Sequence, residues 1–418
     1  MSTITEKILA KAGGVKKASP GDIVNADVDV ALTHDVLCGP VANEFRKLGL
    51  KEVWDKTKIV VTPDHFIPAK DIEAANLYLE MDKFVREQGI ENYYPVGNHG
   101  ICHVMLPEEG FARPGIVIVG TDSHTCTHGA VGAFATGIGT TEMAAVFATG
   151  KCWFRVPETL KFNITGRLKR HVYAKDVILN IIGRIGVDGA LYMAMEFDGE
   201  TVKSLSMDER FVLCNMAIEA GAKNGIINPD ERTIQYVESR TSTPFKIFRS
   251  DESAEYKQII DIEADRIEPT VAEPYLPSNI KTARELNNIA INQAVIGSCT
   301  GGRYSDLQVA AKILKNRRVA PGVRLIIIPA TQKIYLKALN NGLLKIFIQA
   351  GASVSTPTCG PCIGGHMGVL GKNEVAIAST NRNFKGRMGD PTSKVYLAST
   401  ATVAASAVTG RITDPRDL

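Results

Sequence analysis

Short runs of apolar, largely β-branched residues recur along the chain, and each run ends at a small or hydroxyl residue. Five such runs are Lys58–Val61, Ile116–Val119, Gln293–Ile296, Ala352–Ser355 and Val375–Ala378. Continuous apolar runs of about four to six residues are typical of strands that are buried on both faces of a parallel sheet. Stretches with helical character, such as Ala69–Gln88 and Leu307–Lys315, lie between the runs. This alternation predicts an α/β protein whose parallel sheets are flanked by helices.

The residues that follow these runs carry the candidate chemistry. In chain order they are Asp64-His65, Asp122-Ser123-His124, Cys299, Cys359 and Arg382. In an open parallel sheet, ligands bind in the crevice beyond the carboxyl ends of the strands. We therefore predict a single site that is built from the strand ends of two domains.

Two joints divide the chain into three predicted domains. A new strand, Leu160–Ile164, begins just after a break at Arg155–Glu158, and three prolines crowd the segment 269–277. We place the boundaries near 158 and 280, which gives domains 1–158, 159–280 and 281–418. A chain of 418 residues is long enough for three domains, since a domain averages about 150 residues.

Two runs in the outer domains are similar to each other. Val117–Thr125 and Ala294–Gly302 both contain a strand, a glycine, a small hydroxyl residue and then a reactive side chain. This similarity suggests an internal duplication of domains 1 and 3, with the site between the two halves.

Composition excludes several classes of protein. Apolar residues make up 44% of the chain, charged residues 22%, and the net charge is only +3, so neither disorder nor a nucleic-acid partner is expected. The longest apolar stretches, Ala130–Gly150 and Val395–Gly410, are interrupted by Gly, Thr and Ser, and we predict that both are buried helices and that the protein has no membrane segment. Met1–Pro20 lacks the apolar core of a signal peptide, which predicts a cytoplasmic protein.

Three of the eight cysteines form a candidate metal centre. Cys359 and Cys362 have the C-x-x-C spacing in a loop rich in Gly and Pro, and Cys299 lies in a second glycine-rich loop after its own strand. Such loops expose backbone N–H groups that can hydrogen-bond sulfur. Thiolates on two such loops favour a soft metal.

Four interpretations of these cysteines are open. They could hold a 4Fe-4S cluster by three thiolates, with one iron left without a cysteine ligand. They could bind zinc together with His366, Cys359 and Cys362 could form a redox dithiol, or all three could be structural residues of the core. The cluster alone explains why an open Lewis-acid site should be surrounded by Asp–His pairs.

Two further patterns suggest acid–base chemistry on an anionic substrate. In Asp64-His65 and Asp122-x-His124, a carboxylate beside an imidazole orients the ring and raises its pKa, which favours proton donation near neutrality. The guanidinium groups of Arg382 and Arg387 can each bind a carboxylate through two hydrogen bonds. Ser123 can donate a further hydrogen bond to such a substrate.

Five ordered motifs together resemble the aconitase superfamily. They are Thr62-Pro-Asp-His65, Thr121-Asp-Ser-His124, Gly297-Ser-Cys-Thr-Gly, Thr358-Cys-Gly-Pro-Cys-Ile-Gly-Gly and Asn381-Arg-Asn-Phe-Lys-Gly-Arg387. The resemblance covers the chain from about His34 to its end. It implies the three-domain α/β/α aconitase-type core, with domains 1 and 3 enclosing a 4Fe-4S cluster held by Cys299, Cys359 and Cys362.

The resemblance also implies roles for individual residues. The acid–base network would contain Asp64, His65, Asp122, His124 and, from its position in Gly189-Ala-Leu-Tyr-Met-Ala-Met-Glu-Phe197, the carboxylate of Glu196. The groups that bind a small dicarboxylate substrate would be His34, Ser123, Arg382 and Arg387.

The implied activity is that of a hydro-lyase. The length and the His34-Asp35 pair are most similar to the branch that isomerises 2-isopropylmalate to 3-isopropylmalate in leucine biosynthesis. Hydro-lyases for homoaconitate or citramalate are the alternatives, and an RNA-binding iron sensor is a more remote one. In single-chain aconitases an additional C-terminal domain supplies a Ser–Arg segment that takes a proton from carbon. Because this chain ends at Leu418 without such a domain, we expect a separate small subunit to complete the site in a hetero-oligomer.

Overall fold

Strands and helices alternate along the chain, as the apolar runs predict. The computed structural model describes residues 1–418, and its strands form three largely parallel sheets that follow one another in sequence, with one additional antiparallel ribbon. Two of the predicted strands, Gln293–Ile296 and Val375–Ala378, have the predicted bounds. The α/β class is therefore confirmed.

The first sheet has five parallel strands in the order β4-β3-β2-β5-β6, and β1 pairs with β7 in the ribbon. The strands are β1 (Ile23–Asp27), β2 (Val30–His34), β3 (Ile59–Thr62), β4 (Asn92–Tyr93), β5 (Val117–Gly120), β6 (Phe134–Gly137) and β7 (Lys151–Arg155). The helices are α1 (Ile4–Ala12), α2 (Asp35–Lys47), α3 (Ile72–Gln88), α4 (Cys102–Glu108) and α5 (Thr140–Thr149), and 3-10 turns run over Ser123–Val131.

The second sheet is a parallel sheet of four strands in the order β10-β9-β8-β11. Its strands are β8 (Thr159–Thr165), β9 (Ala194–Asp198), β10 (Asn224–Ile227) and β11 (Gln258–Glu263). Its helices are α6 (Ala174–Ile185), α7 (Glu200–Ser204), α8 (Met207–Asn215) and α9 (Glu231–Glu238), with 3-10 turns at Met216–Ala220 and Ala264–Arg266.

The third sheet has seven strands in the order β13-β12-β18-β17-β14-β15-β16. Its strands are β12 (Thr270–Ala272), β13 (Ile280–Thr282), β14 (Gln293–Ile296), β15 (Arg324–Ile327), β16 (Ser353–Val354), β17 (Val375–Ala378) and β18 (Lys394–Ala398). Its helices are α10 (Tyr304–Leu314), α11 (Gln332–Asn340), α12 (Leu343–Ala350) and α13 (Thr400–Thr409), with 3-10 turns at Ala283–Leu286, Gly360–Ile363 and Pro415–Asp417.

The first and third sheets share one topology. In chain order, the five parallel strands of the first sheet and the five from β14 to β18 both lie in the sequence third, second, first, fourth, fifth. By this order β5 is the counterpart of β17, and β14 is the counterpart of β2. The duplication is therefore visible in the fold, but the pairing of Val117–Thr125 with Ala294–Gly302 was wrong, because it matches β5 with β14, which hold different positions in the shared strand order.

Two predicted helices are wrong in part. Within Ala130–Gly150 the chain completes a 3-10 segment and forms strand β6 before helix α5 begins at Thr140. Within Val395–Gly410 the first residues belong to strand β18, and helix α13 begins only at Thr400. Small residues pack closely in buried strands as well as in buried helices, so their abundance alone does not distinguish the two.

Which sheet each strand joins can be compared with the two predicted domain boundaries. Residues 156–158 separate β7 from β8 and include the predicted boundary at 158. Strand β12, before residue 280, already pairs with β18 of the third sheet. We therefore propose 264–269 as the second joint, so that β12 and β13 belong to the third domain.

The largest hydrophobic cluster lies where the three sheets meet. Its residues come from the first sheet (Val30, Leu32), the second (Phe162, Phe197) and the third (Val295, Leu397). Burial of apolar surface shared by all three holds the domains in a fixed relation. A site assembled from all three domains can then have a defined geometry.

The contact between the first two domains yields a prediction at Gly129. A Cβ atom added there would overlap the carbonyl oxygen of Gly225 in β10. We expect Gly129→Ala to destabilise the chain by about 1–3 kcal/mol, since backbone must move to relieve the overlap. The measurement is the midpoint of thermal unfolding. Gly371→Ala is the control, because its Cβ would make only an ordinary 3.5 Å contact with Glu374. Equal midpoints for the two variants would contradict this account of the domain contact.

Candidate active site

The carboxylate of Asp35 fixes the loop that follows β3. One of its oxygens accepts the backbone N–H groups of Asp64 and His65 at 3.0 Å each, and the other accepts that of Phe66 at 2.8 Å. His34, which ends β2, stacks on the ring of His65 with the ring centroids 4.1 Å apart. The ends of two adjacent strands are thereby held together.

His34 presents two free ring nitrogens in a buried position. Burial, with the neighbouring charge of His65, lowers the pKa of His34 to about 4, so the ring is neutral. Neither nitrogen has a hydrogen-bond partner in the chain. Because a buried polar atom without a partner costs free energy, a ligand that hydrogen-bonds His34 would be favoured.

Asp64 and His65 form a charged pair. Nδ1 of His65 lies 2.5 Å from one oxygen of Asp64, and the other oxygen accepts the backbone N–H of Cys102 at 2.8 Å. Burial alone would lower the pKa of His65, but the charge of Asp64 and hydrogen bonds to Asp122 and Asp64 raise it well above its ordinary value. Burial would raise the pKa of Asp64, but the charge of His65, the hydrogen bond to that ring and the hydrogen bond from Cys102 together lower it. His65 is therefore protonated at neutral pH.

Asp122 joins the two predicted Asp–His pairs into one network. One of its oxygens accepts the ring Nε2 of His103 at 2.8 Å and the backbone N–H of His124 at 2.7 Å. Nδ1 of His124 lies 3.3 Å from the same oxygen, and Nε2 of His65 lies 3.6 Å from the other. Burial would raise the pKa of Asp122, but the surrounding imidazoles lower it well below its usual range. The carboxylate thus accepts hydrogen bonds from His103 and His124 and makes a charge contact with His65.

Glu219 connects this network to the third domain. One of its oxygens accepts Nε2 of His124 at 2.8 Å and Nε of Arg382 at 2.7 Å. Arg382 also donates to the hydroxyl of Ser123 at 2.9 Å. Burial would raise the pKa of Glu219, but hydrogen bonding by His124 and the charge of Arg382 lower it. The site therefore contains residues of all three domains.

Asn215 and Asn381 hold the sulfur of Cys299 between them. Their side-chain amides donate to this sulfur at 3.1 and 3.3 Å, and Asn381 also donates to the side-chain oxygen of Asn215 at 3.1 Å. The sulfur of Cys362 lies 3.4 Å from the side-chain oxygen of Asn381. N–H groups aimed at sulfur stabilise a thiolate and are a feature of iron–sulfur sites.

Cys359, in the third domain, lies against the first domain in the same region. Its backbone N–H donates to the carbonyl of Asp64 at 2.7 Å. All eight cysteines are free thiols. Burial, with the charges of Asp64 and of the other two thiol groups, raises the pKa of Cys359 well above its ordinary value. The three predicted ligands thus lie in one buried region next to the Asp–His network.

Their spacing argues against the zinc interpretation. The sulfur atoms of Cys299, Cys359 and Cys362 are not among the ligand groups that lie within 4.8 Å of one another. A tetrahedral zinc ion with bonds of about 2.3 Å would need its sulfur ligands closer than that. The ring of His366, its fourth predicted ligand, donates to the carbonyl of Pro68 at 2.8 Å. The four predicted ligands are therefore not arranged around a single zinc ion.

Arg387 lies beside this cysteine loop. Its backbone carbonyl faces Gly364, and the buried Nε atom of its half-buried side chain has no partner in the chain. A substrate carboxylate would satisfy it. The structure thus brings together His34, Asp64, His65, Asp122, Ser123, His124, Arg382, Arg387 and the three cysteines.

Glu196 is not brought into this cluster. It lies on β9, and its two oxygens accept hydrogen bonds from Asn228 (2.8 Å), Tyr256 (2.9 Å) and Ser250 (2.7 Å), none of which contacts the Asp–His network. Its hydrogen-bonding capacity is satisfied within the second domain. We propose Glu219 in its place as the carboxylate of the site.

Sequence reasoning missed His103, Asn215 and Glu219. The last two are buried polar residues four positions apart in the run Phe211–Ala220, which is otherwise largely apolar. A polar pair in such a run must find partners when it is buried, and this signal was available. His103 lies on a short helix without a preceding strand end, so nothing in the strand pattern indicated it.

Comparison with known proteins shows which family this chain belongs to. The model of the Aconitase family (aconitate hydratase) matches residues 6–285 and 276–410. The chain therefore belongs to the aconitase family, as the five motifs suggest.

Within the aconitase family, the chain is similar to one group of proteins along its whole length. The chain is 56% identical to the 3-isopropylmalate dehydratase large subunit of Moorella thermoacetica and 55% identical to that of Acetivibrio thermocellus; each comparison covers 100% of this chain and 99% of the relative. A crystal structure of Thermococcus kodakaraensis aconitase X matches with a TM-score of 0.52 at 13% identity, covering 92% of both chains, and this likeness supports the fold alone. None of the helices combines the length and apolar character needed to cross a membrane.

The charged Asp64–His65 pair predicts a pH dependence of stability. Because the pKa of His65 is raised above 6.5, its contribution is full below pH 6.5 and is lost as the pH rises through its folded value. Because the pKa of Asp64 is lowered, its contribution is present above pH 3.8 and is lost only as the pH falls through its own folded value. Both are full between these limits. We expect the loss of thermal stability caused by Asp64→Asn to be largest there and to shrink at alkaline pH. A loss that grows with pH would show that His65 is neutral.

Proposed function

We propose that this chain is the cluster-bearing large subunit of a 3-isopropylmalate dehydratase. The reaction removes water from 2-isopropylmalate and adds it back to give 3-isopropylmalate, a step of leucine biosynthesis. The observation that carries the proposal is the junction of Glu219, His124 and Arg382 beside three free cysteines. The two relatives above, which match along the whole chain, bear this name.

In this proposal Cys299, Cys359 and Cys362 hold a 4Fe-4S cluster, the group that membership of the aconitase family implies. Support comes from the amide groups of Asn215 and Asn381 that point at the sulfur of Cys299. Burial raises the pKa of the Cys299 thiol to about 11, so ligation must displace its proton. When bound, the cluster supplies a Lewis acid for the substrate hydroxyl.

The chain's own residues bind and orient the substrate. Arg382 lies between Glu219 and Ser123, and the free Nε of Arg387 is buried nearby. Two guanidinium groups suit the two carboxylates of a malate, since each offers a planar pair of donors. His34, neutral and without a partner, can bond a polar group of the substrate.

Protonated His65 is the proposed proton donor to the departing hydroxyl. The proton on Nδ1 of His65 is hydrogen-bonded to Asp64. The other ring nitrogen, Nε2, lies 3.6 Å from Asp122 and faces the Asp–His network. A protonated imidazole in hydrogen-bond reach of the leaving oxygen provides general acid catalysis. In rehydration the same ring accepts the proton back.

Removal of the carbon-bound proton is assigned to a separate small subunit. The carboxylate predicted here as the alternative base, Glu196, is fully hydrogen-bonded away from the site. The relatives are named large subunits, which indicates that those proteins have a smaller partner. The substituent on carbon 2 would then be recognised partly by that partner.

The two glutamates provide a matched pair of variants. Glu219→Gln should lower turnover by about a hundredfold or more, because His124 and Arg382 lose their shared charge partner. Glu196→Gln should lower thermal stability and leave turnover per folded molecule near that of the parent. The measurement is the initial rate of anaerobic hydration of the unsaturated diacid by the complete complex. The opposite ranking would restore Glu196 to the active site.

The proposed function is tested by mixing the chain, reconstituted without oxygen, with its cognate small subunit. We expect negligible turnover by the chain alone and full turnover after mixing, highest with 2-isopropylmalate among malates that differ at carbon 2. Cys359→Ser should abolish both cluster absorbance and activity. Cys38→Ala, at a buried cysteine in α2, should retain both.

Three outcomes would contradict the proposal. Equal turnover with and without the small subunit would remove the two-subunit assignment. A preference for homoaconitate or citramalate would change the substrate. An unchanged iron and sulfide content in Cys359→Ser would remove that cysteine from the ligand set.

A further inference from the structure

Lys175 is a buried lysine that the reaction above does not use. It is the second residue of α6 in the second domain and is 4% exposed. Its Nζ donates to the hydroxyl of Thr300 at 3.1 Å and to the carbonyls of Ser379 and Thr380 at 3.0 and 2.6 Å. All three partners belong to the third domain, so Lys175 links the two domains.

These contacts require the charged form of the side chain. The carbonyl oxygens can only accept, and Thr300 already donates its own hydroxyl proton to the carbonyl of Ser379 at 2.8 Å. Three acceptors around one nitrogen need three N–H donors, which a lysine offers only as an ammonium. Burial lowers the pKa of Lys175 to about 8, and the charges of Cys299 and of Asp306 act against that shift.

The ammonium group of Lys175 forms no salt bridge with a carboxylate. A buried charge without an opposite charge is costly, because hydrogen bonds to neutral acceptors replace only part of its solvation. The carboxyl whose charge acts most strongly on Lys175 is that of Asp306, but burial raises its pKa to about 7, so at neutral pH its charge is incomplete. The charge of Glu219 also acts on Lys175, but less strongly than those of Cys299 and Cys362, and Glu219 is already paired with His124 and Arg382. The cysteine sulfurs are therefore the principal source of negative charge for Lys175.

Both loops that Lys175 contacts also contact those sulfurs. Thr300 directly follows Cys299 in the loop after β14. Ser379 and Thr380 directly precede Asn381, whose side chain lies 3.3 Å from the sulfur of Cys299 and 3.4 Å from that of Cys362. A positive charge at this position therefore acts on the sulfur atoms of Cys299 and Cys362 through both loops.

We propose that Lys175 is the fixed positive charge that balances the thiolates of the bound cluster and sets its reduction potential. This inference rests on the proposed function, because it needs the cluster. Lys175 is a positioning residue: it touches neither substrate nor cysteine, and it acts through the two loops and through its charge. A cation near a metal cluster favours the state with one more electron, by Coulomb attraction.

The test is the midpoint potential of the one-electron couple in the reconstituted full chain, titrated with mediator dyes and followed by electron paramagnetic resonance. In each step one electron passes from the reduced dye to the cluster. We expect Lys175→Met and Lys175→Gln to lower the equilibrium constant for reduction by about tenfold or more, a shift of about 59 mV to more negative potential. Lys175→Arg, which keeps the charge, should stay within about twofold of the parent constant.

Arg210→Met is the control for loss of a buried cation in general. Arg210 is fully buried in α8 and pairs with Asp230, also in the second domain. This variant should lose thermal stability without a change in potential. Glutamine at position 175 keeps two donors and removes only the charge, so it separates charge from hydrogen bonding and serves also where Lys175→Met fails to fold.

The outcomes separate the inference from the proposed function. Failure of the parent chain to take up iron and sulfide would overturn both. A parent that binds the cluster, with Lys175→Gln at the parent potential, would overturn the inference alone. A shift shared equally by Lys175→Arg and Lys175→Gln would also overturn it, because geometry rather than charge would then determine the potential.

Discussion

The candidate active site depends on the hydrogen bonds that one carboxylate oxygen of Glu219 accepts. The oxygen of Glu219 that accepts both His124 and Arg382 joins side chains from all three domains, and the glutamate itself is 4% exposed. A buried charge is tolerated when it is paired and hydrogen-bonded, and the removal of one member leaves the others uncompensated. Correct folding of each domain is therefore insufficient for this site: the domains must also be placed so that these three groups meet.

The second domain contributes polar side chains that hydrogen-bond to both outer domains. Most of the candidate catalytic and metal-binding side chains belong to the outer domains themselves. Asn215 reaches the sulfur of Cys299 from the end of α8, and Glu219 reaches His124 from the 3-10 turns that follow. Lys175 at the start of α6 contacts the two loops from a third direction. These polar groups meet the outer domains at a surface that is otherwise apolar. Burial of apolar surface stabilises the contact between the domains, and the hydrogen bonds determine how the domains are oriented relative to one another.

The sequence predicts this structure well where an interaction is local. Strand β14 has the predicted bounds because its four residues are all buried and three of them, Ala294–Ile296, are apolar. Asp64-His65 is readable because both residues follow one strand. The bond from Glu219 to His124 spans 95 positions, so no local pattern contains it. Glu196 lies outside the cluster for the same reason: its local surroundings resemble a family motif, but contacts between domains decide which buried carboxylate joins the Asp–His network.

The duplicated topology explains why the two halves of the site complement each other. Equivalent strand ends carry different side chains: β5 leads to Asp122 and β17 leads to Arg382, while β2 leads to His34 and β14 leads to Cys299. The first domain thus contributes carboxylates and imidazoles, and the third contributes sulfur and guanidinium groups. The carboxyl ends of two parallel sheets, where ligands bind, face one another, and Arg382 meets Ser123 across the gap at 2.9 Å. A dicarboxylate whose hydroxyl must be polarised and protonated at once needs cations, a Lewis acid and a proton donor together, and neither half carries all three.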